Sequence, residues 1–117
     1  MLVACACNKA QSAFQQEYRS VQKTLSGGAE PTQASQPRQN GYALEASLQY
    51  EFQGHKEAAI KAFQARIPAD YNLVRQTSSE LTFARFDGHD SFYLTLSFDS
   101  SKQDSTTVLV VLRSLPD

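Results

Sequence analysis

Cys5 and Cys7 are the residues whose chemistry is easiest to name, since a thiolate can bind a metal ion or exchange disulfides. They stand one residue apart in the opening stretch MLVACACN, and the rest of the chain has no cysteine. A structural zinc site normally has four ligands, and this pair supplies two without a nearby histidine. A disulfide between them would close a very small, strained loop. We therefore expect no metal site, no redox site and no cofactor.

The residues before Cys5 point to a different chemistry. Leu2-Val3-Ala4-Cys5 resembles a lipobox, the end of a bacterial lipoprotein signal peptide, in which Leu, a small or branched residue, and Ala or Gly precede the cysteine. The resemblance implies that the Cys5 sulfur carries a diacylglyceryl group and that cleavage makes Cys5 the new N-terminus. Cys7 fits the pattern less well, because Cys5 stands among the residues that precede it.

The same resemblance implies a location. Only Met1 precedes the box, so residues 1–7 are expected to be a signal-peptide remnant that includes the lipidation site. Ala6 follows the cysteine where the family uses Asp to retain a protein in the inner membrane. We therefore expect a lipid-anchored protein of the cell envelope, on the periplasmic side of a bacterial outer membrane. Two or more acyl chains would make such an anchor stable.

The two histidines each have a carboxylate close by in sequence. Glu57 follows His55, and Asp87 and Asp90 flank His89 in the segment DGHD. A calcium ion requires six or more oxygen ligands, and EF-hand spacing is absent. We therefore expect DGHD to be a solvated hairpin tip and His55 to lie near a helix start without a catalytic role.

No catalytic residue is predicted. The sequence contains no G-x-S-x-G, P-loop, H-E-x-x-H or Rossmann glycine pattern. Glu45, Gln49 and Glu51 lie on the polar face of a predicted strand, where paired acids could perform acid/base catalysis. A solvated strand face explains the same residues without any catalytic role.

Composition limits the classes of partner. The chain has 117 residues, of which 41% are hydrophobic and 20% charged, and this suits one globular domain. A net charge of −1 with scattered Lys and Arg gives no basic patch, so we expect no nucleic-acid partner. No apolar run approaches the length of a transmembrane helix.

Two segments precede the predicted domain. In 8–25, apolar residues recur at intervals of three and four, which predicts an amphipathic helix that begins at Asn8 and ends before Gly27-Gly28. Its narrow stripe could pack on the domain or bind a partner, with packing slightly favoured. Residues 26–41 have no large apolar side chain and are rich in Gly, Pro, Ser, Gln and Asn, which predicts a flexible linker.

Residues 42–117 predict an α+β domain. The stretch YALEASLQYEF alternates strictly from Tyr42 to Phe52, which indicates a strand with one buried face. A second amphipathic helix follows over 55–67 and stops at Pro68, and four more strands end in TTVLVVLR, which is apolar on both faces. The expected order is β-α-β-β-β-β: an antiparallel sheet of about five strands, or a mixed one, with one helix packed across it and a separate N-terminal helix before it.

Two functions from different classes remain open. The first is a lipid-anchored interaction or assembly module of the cell envelope, without catalysis, that binds a protein partner. The second is a small-ligand binder or small enzyme with a pocket between helix and sheet. A deep cavity lined by Tyr42, Tyr50 and Phe63 would favour the second function, and a filled core there would count against it.

Overall fold

The computed structural model describes the backbone of residues 2–27, 30–88, 90–102 and 104–116, and the side chains of 12–27, 30–88, 90–100 and 104–115. The elements in chain order are α1 (Leu2–Ser26), β1 (Gln33–Ala34), β2 (Arg38–Asn40), β3 (Ala43–Gln53), α2 (Lys56–Gln64), β4 (Asn72–Gln76), β5 (Glu80–Phe86), β6 (Asp90–Lys102) and β7 (Ser105–Pro116). The fold is α+β, with two helices and an antiparallel sheet of seven strands. The expected order β-α-β-β-β-β is found in β3–α2–β4–β5–β6–β7.

The long strand β3 forms where the sequence alternates with period two. Leu48 and Tyr50 are buried on one face, while Glu45 and Gln49 are half-buried on the other. Tyr42 was expected on the buried face, and this is wrong. It lies in the turn between β2 and β3, after Gly41 with φ of 65°, and is 90% exposed.

All described strand pairs of the sheet run antiparallel, and β7 lies at its centre. Along the sheet the order is β1-β3-β7-β6-β5-β4, with β2 also paired to β3, and every described pair is antiparallel. The mixed alternative is therefore not adopted. The α2 crossover carries the chain from β3 to β4 at the far edge. β7 lies between β3 and β6, which agrees with its apolar residues on both faces.

The segment 26–41 differs from the expected linker without secondary structure, because it contains β1 and β2. Both strands pair with the outer edge of β3. The Thr32 amide donates to the Gln49 carbonyl (2.7 Å) and the Ser35 amide to the Ser47 carbonyl (2.9 Å). An open strand edge has unpaired backbone groups, and a polar segment can satisfy them without burying any side chain.

Helix α1 is longer than predicted and packs on the sheet. It begins at Leu2, so Asn8 lies inside the helix and the predicted start there is wrong. No Gly or Pro interrupts residues 2–26, so nothing in the sequence stops the helix at Asn8. Its end before Gly27, with φ of 54°, is as predicted. Of the two expectations for its apolar stripe, packing against the domain is the one adopted.

Both helices cover the same face of the sheet. Phe14, Tyr18, Val21 and Leu25 of α1 and Ala59 and Phe63 of α2 join inward side chains of β3, β5, β6 and β7 in one hydrophobic core. The prediction of a single helix across the sheet was therefore incomplete. Among the described residues, no helix combines the length and apolar character needed to cross a bilayer.

Candidate functional site

No described helix covers the side of the sheet opposite α1 and α2. Its outward side chains form three central rows across the strands: Glu45, Arg113, Tyr93, the buried Ala84 and Asn72; Ser47, Val111, Thr95, Thr82 and Arg75; Gln49, Leu109, Ser97 and Glu80. We call these three rows the open face. It exists because β3, β5, β6 and β7 alternate in period two and both helices take the other side.

A groove runs over the middle of the open face. It measures about 660 Å³ and opens broadly to solvent. Its apolar part is contributed by Val74, Tyr93, Val111 and Leu115, beside the hydroxyls of central β5 and β6 residues. Sites for small molecules are usually enclosed and bury most of the ligand. This groove instead suits a larger partner that lies across the sheet.

The two acids of the groove form side-chain hydrogen bonds, whereas its two arginines form none within the described part of the chain. The Glu45 carboxylate accepts hydrogen bonds from Arg38 (3.2 Å) and Asn40 (3.4 Å), and the Glu80 carboxylate accepts one from Ser97 (3.3 Å). Arg75 and Arg113 have no ion pair and no side-chain hydrogen bond with any described residue.

The acidic pair considered for catalysis is held apart in separate networks. Glu45 binds the side chains of the β2 strand, as above. The Glu51 carboxylate accepts hydrogen bonds from the hydroxyls of Thr107 (2.6 Å) and Ser105 (2.9 Å) on β7. Gln49 stands between the two acids on β3. Glu45, Gln49 and Glu51 share the polar face of β3, as predicted, but each is half-buried and not fully solvated.

A second polar cluster lies between α1 and the sheet. The Glu17 carboxylate forms a bidentate ion pair with Arg85, with Nη2–Oε1 at 2.7 Å and Nε–Oε2 at 3.1 Å. The Tyr71 hydroxyl donates to Glu17 Oε2 at 2.6 Å, and the Arg85 guanidinium lies 4.8 Å from the centre of the Phe92 ring. We call Glu17, Tyr71 and Arg85 the Glu17 cluster.

Electrostatics in the Glu17 cluster favour a fixed structural role. Burial, reinforced by the hydrogen bond and the charge of Glu17, raises the pKa of Tyr71 far above its usual value. Burial by itself lowers the pKa of Arg85, but the hydrogen bonds and charge of Glu17 together with the contribution of Tyr71 outweigh it, so the net shift is upward. Tyr71 and Arg85 therefore keep their protons, and the cluster joins α1 to β5.

Cys5, the expected lipidation site, has its backbone within α1, and its side chain lies outside the described residues. The same holds for Cys7. His89 also lies outside the described residues. His55 stands at the N-terminal end of α2, as expected, is exposed, and makes no side-chain capping hydrogen bond.

The DGHD segment connects β5 and β6, which form a hairpin as predicted. The Asp90 amide donates to Asp87 Oδ1 at 2.8 Å, and Gly88 has φ of 95°. Within the described ranges, no three His, Cys, Asp or Glu side chains are grouped closely enough to hold a metal ion.

The three aromatic residues considered for a ligand cavity do not come together. Tyr50 and Phe63 pack with ring centres 5.4 Å apart in the buried core. Tyr42 is exposed at the opposite end of β3. The space between α2 and β3 is therefore filled at this point by side chains of the core.

Sequence reasoning missed the residues that carry most of the polar geometry. Arg85 has the same parity as Leu81 and Phe83, and this spacing could have placed it on the inner face of β5. Glu17 precedes Tyr18 next to the apolar stripe of α1, which gives the matching signal. Arg113 could be assigned to a face by parity with Leu109, but its lack of an ion pair with the described residues depends on the sheet order.

Comparison of the chain with protein-family models, with curated proteins and with solved structures gives no significant match. Its function is therefore inferred from its own residues and geometry.

Proposed function

We propose that this chain is a lipid-anchored interaction or assembly module of the bacterial cell envelope, without catalytic activity, that binds a protein partner through the open face. The observation that carries the proposal is the asymmetry of the sheet. Two helices cover one face, while the other exposes Leu109 and Val74, 40% and 58% exposed, beside two arginines that form no ion pair with any described residue. Exposed apolar surface with polar surroundings is typical of a binding surface.

The interaction function is favoured over a ligand pocket because of where space is found. Tyr50 and Phe63 fill the core between α2 and β3, where the alternative function needs a cavity. A groove that opens broadly to solvent lies on the open face instead. A protein partner can cover such a surface, whereas a small molecule gains little by lying on it.

The anchor is supported by the lipobox-like Leu2-Val3-Ala4-Cys5. Since α1 runs from Leu2 to Ser26, Cys5 is joined to the core by helix. The test is the mass of the N-terminal peptide from native protein. We expect an acylated Cys5 at the N-terminus, release from the membrane fraction by Cys5→Ser, and no release by Cys7→Ser. An intact Met1 or a free Cys5 thiol in cells would falsify the anchor.

The open face is tested by site-specific photo-crosslinking in the native cell. A photoreactive residue replaces Thr95 at the centre of the open face, and the control replaces Gln16, which is exposed on α1. We expect one discrete protein adduct from position 95 and none of that mass from position 16. Excess purified wild-type protein should compete for the adduct, and excess Val111→Arg protein should not. The same adducts at both positions, or none, contradict the proposed surface.

A further inference from the structure

We infer that the partner presents an acidic polypeptide segment to the open face, with carboxylates that pair with Arg75 and Arg113. This inference rests on the proposed function, since it names the chemistry of the partner at the same surface. Two guanidinium groups without an ion pair among the described residues flank the groove. Arg–carboxylate pairs are short, bidentate and specific in direction, so such groups favour a carboxylate-bearing partner.

The separation of the two arginines favours a polypeptide over a small anion. Arg113 is on β7 and Arg75 is on β4, three strand positions away, which is about 14 Å at the usual strand spacing. One carboxylate or phosphate is much smaller than this separation of the two strands. A segment with several carboxylates can reach both while its apolar side chains lie on Tyr93 and Val111 between them.

On the covered face of the same sheet, one carboxylate of a docked helix pairs with an arginine of a strand. There the apolar stripe of α1 packs on the inner side chains while Glu17 pairs with Arg85 on β5. The open face has a strand-borne guanidinium beside apolar side chains, but no described carboxylate forms an ion pair with Arg75 or Arg113.

The acids at the groove favour discrete carboxylates over a continuous anionic surface. Glu45 and Glu80 both line the groove beside Arg113 and Arg75. A plane of anionic lipid headgroups would bring negative charge against these two carboxylates as well. A peptide can place its acidic side chains at the arginines and leave neutral ones at Glu45 and Glu80, which avoids that repulsion.

The probe is a fluorescent 15-residue peptide in which Glu alternates with Leu-Ala. The comparison peptide has Gln in place of every Glu. Fluorescence anisotropy with the full chain is measured at low salt and in 0.3 M NaCl. We expect binding of the Glu peptide that weakens with salt and at least a tenfold preference over the Gln peptide. Arg75→Gln and Arg113→Gln should each weaken binding about threefold, and the double variant about tenfold.

The matched control is Arg19→Gln, which removes the same charge from an exposed position on α1. It should bind the peptide as the wild type does, and all variants should keep the wild-type unfolding midpoint. Equal binding of the Gln peptide, an unaffected double variant, or the same loss in Arg19→Gln overturns the inference. The inference is also overturned if the wild type binds phosphatidylglycerol vesicles but not the Glu peptide, and the double variant loses the vesicle binding.

The two proposals fail separately. If position 95 gives a discrete cross-link while the Glu peptide does not bind, the acidic partner is wrong and the interaction function stands. If position 95 gives no cross-link, the open face is not the binding surface, and the inference built on it falls as well.

Discussion

Arg85 shows how one charged residue can be accommodated on the inner face of a sheet. It follows Leu81 and Phe83 in period two, so its side chain enters the layer between β5 and α1. Only 20% of the Arg85 side chain is exposed, and the Glu17 carboxylate accepts hydrogen bonds from its Nε and Nη2 atoms. Removing one member of such a pair leaves the other charged and poorly hydrated, which costs more than losing an exposed pair.

We expect Arg85→Met to lower the free energy of unfolding by about 2–3 kcal/mol, because the Glu17 carboxylate keeps only the Tyr71 hydroxyl as partner. Urea unfolding at pH 7 measures the change. Arg38→Met is the matched control, since Arg38 pairs with Glu45 but is 75% exposed. Its loss should be below about 1 kcal/mol. Equal losses in the two variants would show that the Glu17 cluster contributes no more than a surface pair.

Tyr71 gives the fold a dependence on alkaline pH. Burial and Glu17 raise its pKa in the folded protein above the usual value, so the folded state holds this proton more tightly than the unfolded state. Stability from this group is full below the unfolded pKa of about 10 and falls as the pH rises above it. Burial raises the pKa of Tyr18 and of Tyr50 in the same direction.

The free energy of unfolding should therefore decline between pH 10 and 11.5, and Tyr71→Phe should reduce the slope by up to about 1.4 kcal/mol per pH unit. Urea unfolding across this range measures it, with Tyr18 and Tyr50 supplying the slope that remains. Tyr42→Phe, at an exposed position, is the control and should keep the wild-type slope. A Tyr71→Phe profile parallel to the wild type refutes this account of the slope.

At the scale of elements, α1 belongs to the core as fully as any strand does. Val21 and Leu25 are completely buried, and the Tyr18 hydroxyl lies 2.9 and 2.8 Å from the carbonyl oxygens of Ser35 and Ser47. The Arg66 side chain donates to the Leu25 carbonyl at 3.3 Å and so satisfies a group at the helix end. The helix is thus held along one side and at its end.

Leu25→Ala should consequently destabilise the whole domain by about 2–4 kcal/mol, through lost burial and the cavity it leaves. Lys23→Ala on the exposed side of the same helix should change stability by less than about 0.5 kcal/mol. Urea unfolding followed by fluorescence and by circular dichroism tests both, and the two signals should coincide. If Leu25→Ala melts only α1 and leaves the sheet signal unchanged, the helix is a separate unit.

Elements with their own periodicity could be predicted from the sequence. The faces of β3 and α2 were correct because a side chain's environment follows from the local repeat. β1 and β2 could not be predicted in this way, because all their residues are exposed and their stability comes from backbone hydrogen bonds to β3. Amino-acid composition indicates how much apolar surface a segment can bury. Because β1 and β2 bury no side chain, composition could not indicate them.

At the scale of the whole molecule, the open face could not be predicted because it depends on the sheet order. The β3–β7 pairing joins the two ends of the domain and sets Arg113 beside Glu45 and Tyr93. Period two predicts that each strand has a polar face, but only the order and the position of the helices decide which polar face is uncovered. The two helices could instead have packed on opposite faces of the sheet, and the sequence contains nothing that rules this out.

The same order predicts how stability is distributed. β4 is an edge strand with one neighbour, all five of its residues are exposed, and its register with β5 shifts between Leu73 and Arg75. β7 is paired on both sides along its length, and Val108, Val110 and Leu112 are buried. Local opening at an edge exposes little apolar surface, so it should need far less free energy than opening β7.

In native-state hydrogen exchange, the β4 amides that donate to β5 should therefore exchange at least about 100-fold faster than the amides of Val108 and Val110. The comparison is made at neutral pH and low denaturant, with rates corrected for the intrinsic rate of each amide. β4 should also show exchange that is insensitive to added urea, because its opening exposes little surface, whereas β7 should exchange through global unfolding. Equal protection in both strands would mean that the sheet opens as one unit and that Arg75 is held as rigidly as Arg113. Fast exchange in β4 would instead leave the Arg75 side of the groove free to adjust to a partner while the Arg113 side stays fixed.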